Sequence, residues 1–278
     1  DIINNSSNNS TVFNAVLQNL VDQKFPVNDD MKEDAATIIK QIKSAYKSNY
    51  GDNYKDSLNQ ALTSAGYKNL SEYRQKMIKQ IQYANFLLDY IDDHFDDVFN
   101  DYYQQCAPKY VSLIKISVSD TSSPTDDETS KLNEVKELIS NTDKSFGDIA
   151  QDYSNDSTSS KKGSLGIVDS KDTSGIANSY GKDVFNAIEA LSEGQVSDVI
   201  TGDDGYYFVK VTSTDKKTLK KELKKTDIDS PLLAYDDYLQ YVVYNSYKIN
   251  YKDKDIKKIV QEVVNKALEE RKTERGEA

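Results

Sequence analysis

The spacing of the apolar residues changes twice along this chain, and that change limits the folds open to it. Up to about Tyr103 apolar residues recur every three or four positions, which predicts amphipathic helices. After Pro108 the stretch YVSLIKISV at 110–118 alternates, which predicts a strand. Beyond about Thr212 the helical spacing returns. The simplest arrangement is a discontinuous helical domain into which an α+β unit is inserted.

Within the inserted unit the predicted order is strand, three helices, strand, strand. The helices are Asp126 to Ile139, SFGDIAQDYS and KDVFNAIEALSEG, and the later strands are VSDVI and YYFVKV. NDSTSSKKGSLG, rich in Ser and Gly, is predicted to be a loop. This order lacks the regular alternation of a doubly wound sheet. We predict the α+β class, with a four-stranded antiparallel sheet packed by helices.

The composition of the flanking segments sets the predicted boundaries. The stretch DIINNSSNNS is almost wholly polar and predicts a flexible tether. KKTLKKELKK, at 216–225, is predicted to be a basic linker. PLLAYDDYLQYVVYNSYKI and KDKDIKKIVQEVVNKALEERK are predicted to be helices. The predicted parts are a tether at 1–10, helical segments at 11–107 and 214–278 that form one domain, and the inserted unit at 108–213.

Two helix ends in the first segment have recognisable capping signals. Gly66 closes GDNYKDSLNQALTSAG and is predicted to be a C-terminal cap. Ser71 precedes the long apolar stripe of EYRQKMIKQIQYANFLLDYIDDHF and is predicted to be its N-cap.

The charge and the rare residues exclude several classes of function. A formal net charge of −11 argues against nucleic-acid binding, which needs basic faces. The chain contains no apolar run of about 18 residues, so no membrane span is predicted. Cys106 is the single cysteine and forms no internal disulfide, and His94 is the single histidine. We therefore predict no metal site and no cofactor.

Two adjacent tyrosines open the last strand of the inserted unit. In GDDGYYFVKV, residues 202–211, Asp203, Asp204 and Gly205 supply a turn. Alternation then places Tyr207 with Val209 on one face, and Tyr206 on the other.

Four motifs of the inserted unit, taken in order, resemble those of parvulin-type peptidyl-prolyl isomerases. They are FGDIAQDYSND, KKGSLG, DVFNAIEALSEGQVSDVI and DGYYFVKV. The flanking segments at 13–25, 50–82 and 102–118 resemble the PrsA/PrtM foldases, so the resemblance covers about 13–260. It implies a helical chaperone domain around a parvulin domain in an extracytoplasmic lipoprotein of Gram-positive bacteria. It also implies that the clients are unfolded secreted polypeptides.

The resemblance also implies a site, carried over position by position. The family keeps a histidine on the first strand, a histidine on the last strand and a Cys or Asp between them, together with an apolar pocket for proline. The corresponding catalytic positions are Lys115, Tyr207 and Asp156, and the substrate-binding positions are Leu165 and either Val184 or Phe185. Both histidines are therefore replaced.

These replacements leave the activity open at this point. One hypothesis is a foldase and chaperone whose isomerase activity is weak or lost. A second is a fully active isomerase that uses Asp156 and Tyr207, and a third is a non-enzymatic surface or structural protein. The expected partners are unfolded secreted clients and the outer face of the cell membrane, through a lipid anchor in removed upstream sequence. A homodimer is left open.

Overall fold

The computed structural model describes residues 6–141, 143–224 and 228–277. The helices are α1 Ser6–Lys24, α2 Asp29–Tyr50, α3 Tyr54–Ser64, α4 Leu70–Asp93, α5 Phe95–Cys106, α6 Asp126–Asn141, α7 Phe146–Tyr153, α8 Ile176–Tyr180, α9 Lys182–Ala190, α10 Lys216–Leu223, α11 Leu239–Ser246 and α12 Lys254–Glu274. The strands are β1 Lys109–Ser117, β2 Ser164–Val168, β3 Ile200–Thr201 and β4 Gly205–Ser213, and short 3₁₀ helices occupy Gly51–Asn53, Ser157–Lys161 and Pro231–Leu233.

The chain divides into two compact units, and the first of them is helical and discontinuous. It combines α1 to α4 with α11 and α12. Phe13 of α1 is fully buried, and its ring stacks on Tyr241 at 4.8 Å and meets the edge of Tyr244 at 5.2 Å. Both tyrosines belong to α11. The two ends of the sequence therefore share one hydrophobic core.

The capping of the helical unit follows the sequence in one place and departs from it in another. Gly66 has a φ of +86° after α3 and donates to the carbonyl of Thr63, so the predicted C-terminal cap is confirmed. The N-cap of α4 is Asn69, whose side chain accepts from the Glu72 amide at 3.0 Å, and not Ser71. The prediction was wrong because two suitable capping residues stand close together, and the residue with extended backbone caps the helix.

Segments outside the sheet also differ from expectation. Helix α1 begins at Ser6, so the second half of the predicted 1–10 tether is helical, while residues 1–5 lie outside the described residues. The predicted basic linker forms α10 up to Leu223, because Leu219 and Leu223 recur at helical spacing and are buried. The single helix predicted from Pro231 onward is split into a 3₁₀ turn and α11.

The second unit contains an antiparallel sheet of four strands in the order β2-β1-β4-β3, which confirms the predicted fold class. Strand β2 begins within the segment that was predicted to be a loop and continues past its end to Val168. It is short, and the preceding Gly163 has a φ of +75° that lets its backbone approach β1. A Cβ at Gly163 would lie 2.4 Å from the Leu113 carbonyl oxygen, so only glycine fits there.

The two faces of this sheet bury different sets of residues, as the alternation predicts. One face packs Val111, Leu113, Tyr207 and Val209 of the central strands against Val184 and Ile188 of α9. The other packs Ile114, Ile116 and Phe208 against α6 and α7. Tyr206 packs against this second cluster. The two adjacent tyrosines therefore serve opposite faces of the sheet.

The second unit extends beyond 108–213 and includes α5 and α10. Tyr102 of α5 is fully buried and donates to the carboxylate of Asp169 at 2.8 Å. Asp169 is also fully buried and accepts from the Thr173 hydroxyl and from the Lys171 amide. Cys106, the single cysteine, is buried at the end of α5. In the described ranges no helix is long and apolar enough to cross a bilayer.

Candidate functional site

The two positions at which the sequence lacks histidine face each other on the central strands. Lys115 of β1 pairs in register with Tyr207 of β4. Because odd-numbered residues of both strands share a face, the two side chains lie on the same side of the sheet. The Lys115 ammonium lies 5.6 Å from the centroid of the Tyr207 ring.

A third residue, Asp204, binds both of these side chains. It lies in the turn that leads into β4, and its carboxylate accepts from the Tyr207 hydroxyl and pairs with the Lys115 ammonium. The Tyr207 ring also packs tightly on the same turn, since a Cβ at Gly202 would lie 2.6 Å from its Cε2 atom. This turn thus contacts both the hydroxyl and the ring of Tyr207.

Asp156 lies at the start of the 3₁₀ helix Ser157–Lys161 and is not the acceptor of the Tyr207 hydroxyl, which bonds to Asp204. Its side chain accepts from the Thr158 amide at 2.8 Å and from the Thr158 hydroxyl at 2.6 Å. Asp156 also interacts electrostatically with the Tyr180 phenol, and the Tyr180 ring meets Tyr207 edge to face at 6.2 Å. Tyr180 therefore interacts with both Asp156 and Tyr207.

The protonation of the site follows from burial and from these partners. Burial, and then the Asp204 carboxylate, raises the pKa of Tyr207 well above its ordinary value. Burial and the negative charge of Asp156 raise the pKa of Tyr180 to about 12. The hydrogen bond from Lys115 lowers the pKa of Asp204. At neutral pH the site therefore holds two neutral phenols beside an ionised carboxylate.

A pocket of about 600 Å³ opens beside this cluster. Its apolar walls include Val184, Ile200 and the rings of Tyr180 and Tyr207, and its charged lining residues are Lys182, Asp183, Asp203 and Asp204. Leu165 and Phe185 pack, half-buried, against the same core cluster as Val184 and Tyr207. The structure thus brings the six positions carried over from the family to one face of the sheet.

Two members of the cluster, Asp204 and Tyr180, were not selected from the sequence. The signal for Asp204 was its place directly before the paired tyrosines, but an acidic residue in a turn is ordinarily explained by the turn itself. Tyr180 ends a five-residue helix, and only the fold brings it beside Asp156.

Comparison with known proteins assigns this unit to a family. Residues 113–213 match the family described as "Rotamase: PPIC-type PPIASE domain". The chain contains a PPIC-type PPIase domain. This confirms the resemblance to parvulin-type isomerases, and the matched segment contains each of the carried-over positions.

The curated relatives of the chain are named foldase protein PrsA. Those from Staphylococcus aureus and Staphylococcus epidermidis are each 32% identical over 141 residues, which is 48% of this chain and 41% of the relative. The chain thus matches less than half the length of these relatives. A crystal structure of foldase protein PrsA from Streptococcus pneumoniae aligns over 94% of this chain and 92% of its own, at 20% identity and a TM-score of 0.44.

Replacing Asp204 by asparagine is expected to lower the pKa of Tyr207 in the PPIC-type domain, because a negative charge beside the phenol is removed. The folded-state pKa of Asp204 is depressed, so its ionised form favours folding above the ordinary carboxyl pKa of about 3.9. That contribution is lost as the pH falls. Asp204 is 64% exposed, so solvent keeps the contribution small.

Carbon-13 NMR of the tyrosine Cζ atoms would follow the titration, and urea unfolding at pH 7 and pH 3 would follow stability. The stability difference between the chain and the Asp204→Asn variant should be larger at pH 7. The exposed neighbour Asp203, changed to asparagine, is the matched control. A Tyr207 titration that moves no more in Asp204→Asn than in the control would contradict the assignment.

Proposed function

We propose that this protein is an extracytoplasmic foldase, in which the helical unit chaperones unfolded secreted polypeptides and the PPIC-type domain is a weak prolyl isomerase. The names of the curated relatives support the foldase assignment. We propose weak isomerase activity because the side chains of Lys115 and Tyr207 both bind the Asp204 carboxylate.

The pocket supports proline binding by its shape and its lining. The barrier to prolyl isomerisation arises from the partial double bond of the amide and is about 18–20 kcal/mol. An apolar wall that holds the pyrrolidine ring, with polar groups beside the amide, lowers this barrier by favouring the twisted state. Val184, Ile200 and the ring of Tyr207 supply such a wall.

The polar groups beside that wall are poorly disposed to assist the twisted amide. The Tyr207 hydroxyl and the Lys115 ammonium bind Asp204. Each of these bonds must be given up or shared before the group can bind substrate. Donors that reorganise during the reaction contribute less than donors already placed for the transition state. We therefore expect isomerase activity below that of domains that keep both histidines.

The proposed location is the outer face of the cell membrane of a Gram-positive bacterium. The support is the resemblance to PrsA-type lipoproteins and the origin of the relatives in two Staphylococcus species. A lipid anchor upstream of the sequence would hold the protein there, and unfolded polypeptides arriving after translocation would be its clients.

Restoring both histidines, in the double variant Lys115→His/Tyr207→His, is expected to raise the isomerase rate on a short Xaa-Pro peptide. One well-placed donor is worth about 10²–10³ in reactions that develop strong charge. Since prolyl isomerisation develops little charge, we expect a gain of about tenfold or less. A protease-coupled assay, or exchange NMR of the peptide, gives the rate.

Tyr206→His is the matched control, because Tyr206 packs on the opposite face of the sheet and should leave the rate unchanged. Asp156→Ala, in the unmodified chain, tests the alternative of a fully active isomerase. Activity equal to that of histidine-containing relatives, lost in Asp156→Ala, would favour that alternative over the weak isomerase. Full activity that Asp156→Ala leaves intact would show that the catalytic site lies elsewhere.

A further inference from the structure

A groove in the helical unit carries positive charge in an otherwise acidic chain. It lies between α2 and α4 and encloses about 480 Å³. Its lining, which defines the α2–α4 groove, consists of Ala36, Ile39, Lys40 and Lys43 of α2 with Leu70, Ser71 and Arg74 of α4.

The charge of the groove opposes that of the whole molecule. Lys40, Lys43 and Arg74 contribute three positive charges, and no acidic side chain is among the lining residues. The chain as a whole carries a net charge of −11. Since the summed field of such a chain repels acidic polypeptides, a local cationic groove is the place where they can approach.

The cationic side chains are free to meet a ligand. Lys40 and Lys43 are exposed. Arg74 is exposed too, and it donates to the Lys32 carbonyl through Nη2 at 3.3 Å. Because a guanidinium has five N–H donors, this bond leaves others for a carboxylate.

The floor of the groove is apolar and firmly packed. Ile39 is 7% exposed and belongs to a buried cluster with Met31, Met77 and Ile78, against which Leu70 also packs. The α2 lining runs from Ala36 to Lys43, a rise of about 10 Å at 1.5 Å per residue. That length matches about three residues of an extended chain.

We propose that the α2–α4 groove binds an extended client segment in which an apolar side chain is flanked by Asp or Glu. The apolar side chain packs on Ile39 and Leu70, and the flanking carboxylates pair with Lys40, Lys43 and Arg74. This inference rests on the proposed foldase function and names a class of segment that the helical unit would hold. Opposite charges at the rim steer the segment in, so its binding weakens with salt.

The test uses the full chain and two fluorescent peptides that differ only in the residues flanking a central leucine. One peptide places Glu on both sides of the leucine, and the other places Lys there. Fluorescence anisotropy should show binding of the Glu peptide at low salt, weaker binding at 0.5 M salt and at least tenfold weaker binding of the Lys peptide.

The triple variant Lys40→Glu/Lys43→Glu/Arg74→Glu is expected to weaken binding of the Glu peptide at least tenfold. The matched control is Lys258→Glu/Lys266→Glu/Lys272→Glu, which makes the same change of net charge on exposed positions of α12. The milder Lys40→Gln/Lys43→Gln variant should bind with intermediate affinity. This milder variant takes the place of the triple variant in the binding test if circular dichroism shows that the triple variant is unfolded.

Absence of Glu-peptide binding, equal binding of the two peptides, or equal losses in the groove variant and the control would each overturn the proposal. A second assay measures whether the chain suppresses aggregation of an uncharged unfolded client. It distinguishes failure of the groove proposal from failure of the proposed foldase function. If suppression persists without Glu-peptide binding, the groove assignment alone is wrong. If the Glu peptide binds at the groove and aggregation is not suppressed, the foldase proposal alone is wrong.

Discussion

Replacing Phe13 by alanine should lower the free energy of unfolding of the helical unit by about 3–5 kcal/mol. The ring is fully buried and packs on Tyr241 and Tyr244, so its removal leaves a cavity and ends two aromatic contacts. These partners lie more than 200 positions along the chain, in α11. The loss therefore measures how strongly the two ends of the sequence depend on each other.

Urea unfolding followed by far-ultraviolet circular dichroism would give the free energy, with the helical unit resolved as its own transition. Tyr50→Ala is the matched control, since Tyr50 is an aromatic residue of the same unit that is 52% exposed. Tyr50→Ala should lower the free energy of unfolding by no more than about 0.5 kcal/mol. Similar losses in the two variants would mean that α1 and α11 do not share a core.

Replacing Asp169 by alanine should destabilise the unit that contains the PPIC-type domain by about 3–5 kcal/mol. The variant leaves the buried hydroxyl of Tyr102 without its acceptor and removes the acceptor of the Thr173 hydroxyl and the Lys171 amide. Each buried donor left unsatisfied costs about 1–3 kcal/mol. Since Tyr102 lies on α5, the variant also loosens that helix from the sheet.

Differential scanning calorimetry would detect the change as a fall in the melting temperature of this unit. Asp198→Ala removes an exposed carboxylate of the same unit and should have almost no effect. Asp169→Asn keeps an acceptor for Tyr102, so its melting temperature should fall less than that of the alanine variant. An unchanged melting temperature in Asp169→Ala would show that α5 is held by its apolar contacts alone.

The spacing of apolar residues predicted the major helices and strands. A helix or strand that buries one face repeats its apolar residues at the period of that structure, wherever it packs. The family resemblance located Lys115 and Tyr207 on two strands, and the structure pairs them in register. Segments without a period were harder to predict. Strand β2 is short and follows glycine, and the two buried leucines of α10 are too few among its lysines to predict an amphipathic helix.

The sequence predicts the site residues that lie in regular helices and strands. Val184 and Tyr207 lie in regular elements, and the family motifs located them. Asp204 and Tyr180 lie in a turn and at the end of a five-residue helix, where side-chain direction depends on the surrounding fold. Their role arises from contacts between segments distant in sequence, such as Lys115 with Asp204, and a single sequence contains no direct signal for such contacts.

The pairing of α1 with α12 affects the order in which this chain can fold. The two helices are separated by about 230 residues, and the cost of closing a loop rises by about 0.6 kcal/mol for each doubling of its length. The inserted unit needs neither helix for its sheet, and its closure brings Tyr110 opposite Ser213. We expect the sheet to form first and to shorten the loop that the helices must close. Pulse-labelled hydrogen exchange should therefore protect amides of β1 and β4 before those of α1, and the reverse order would contradict this sequence of events.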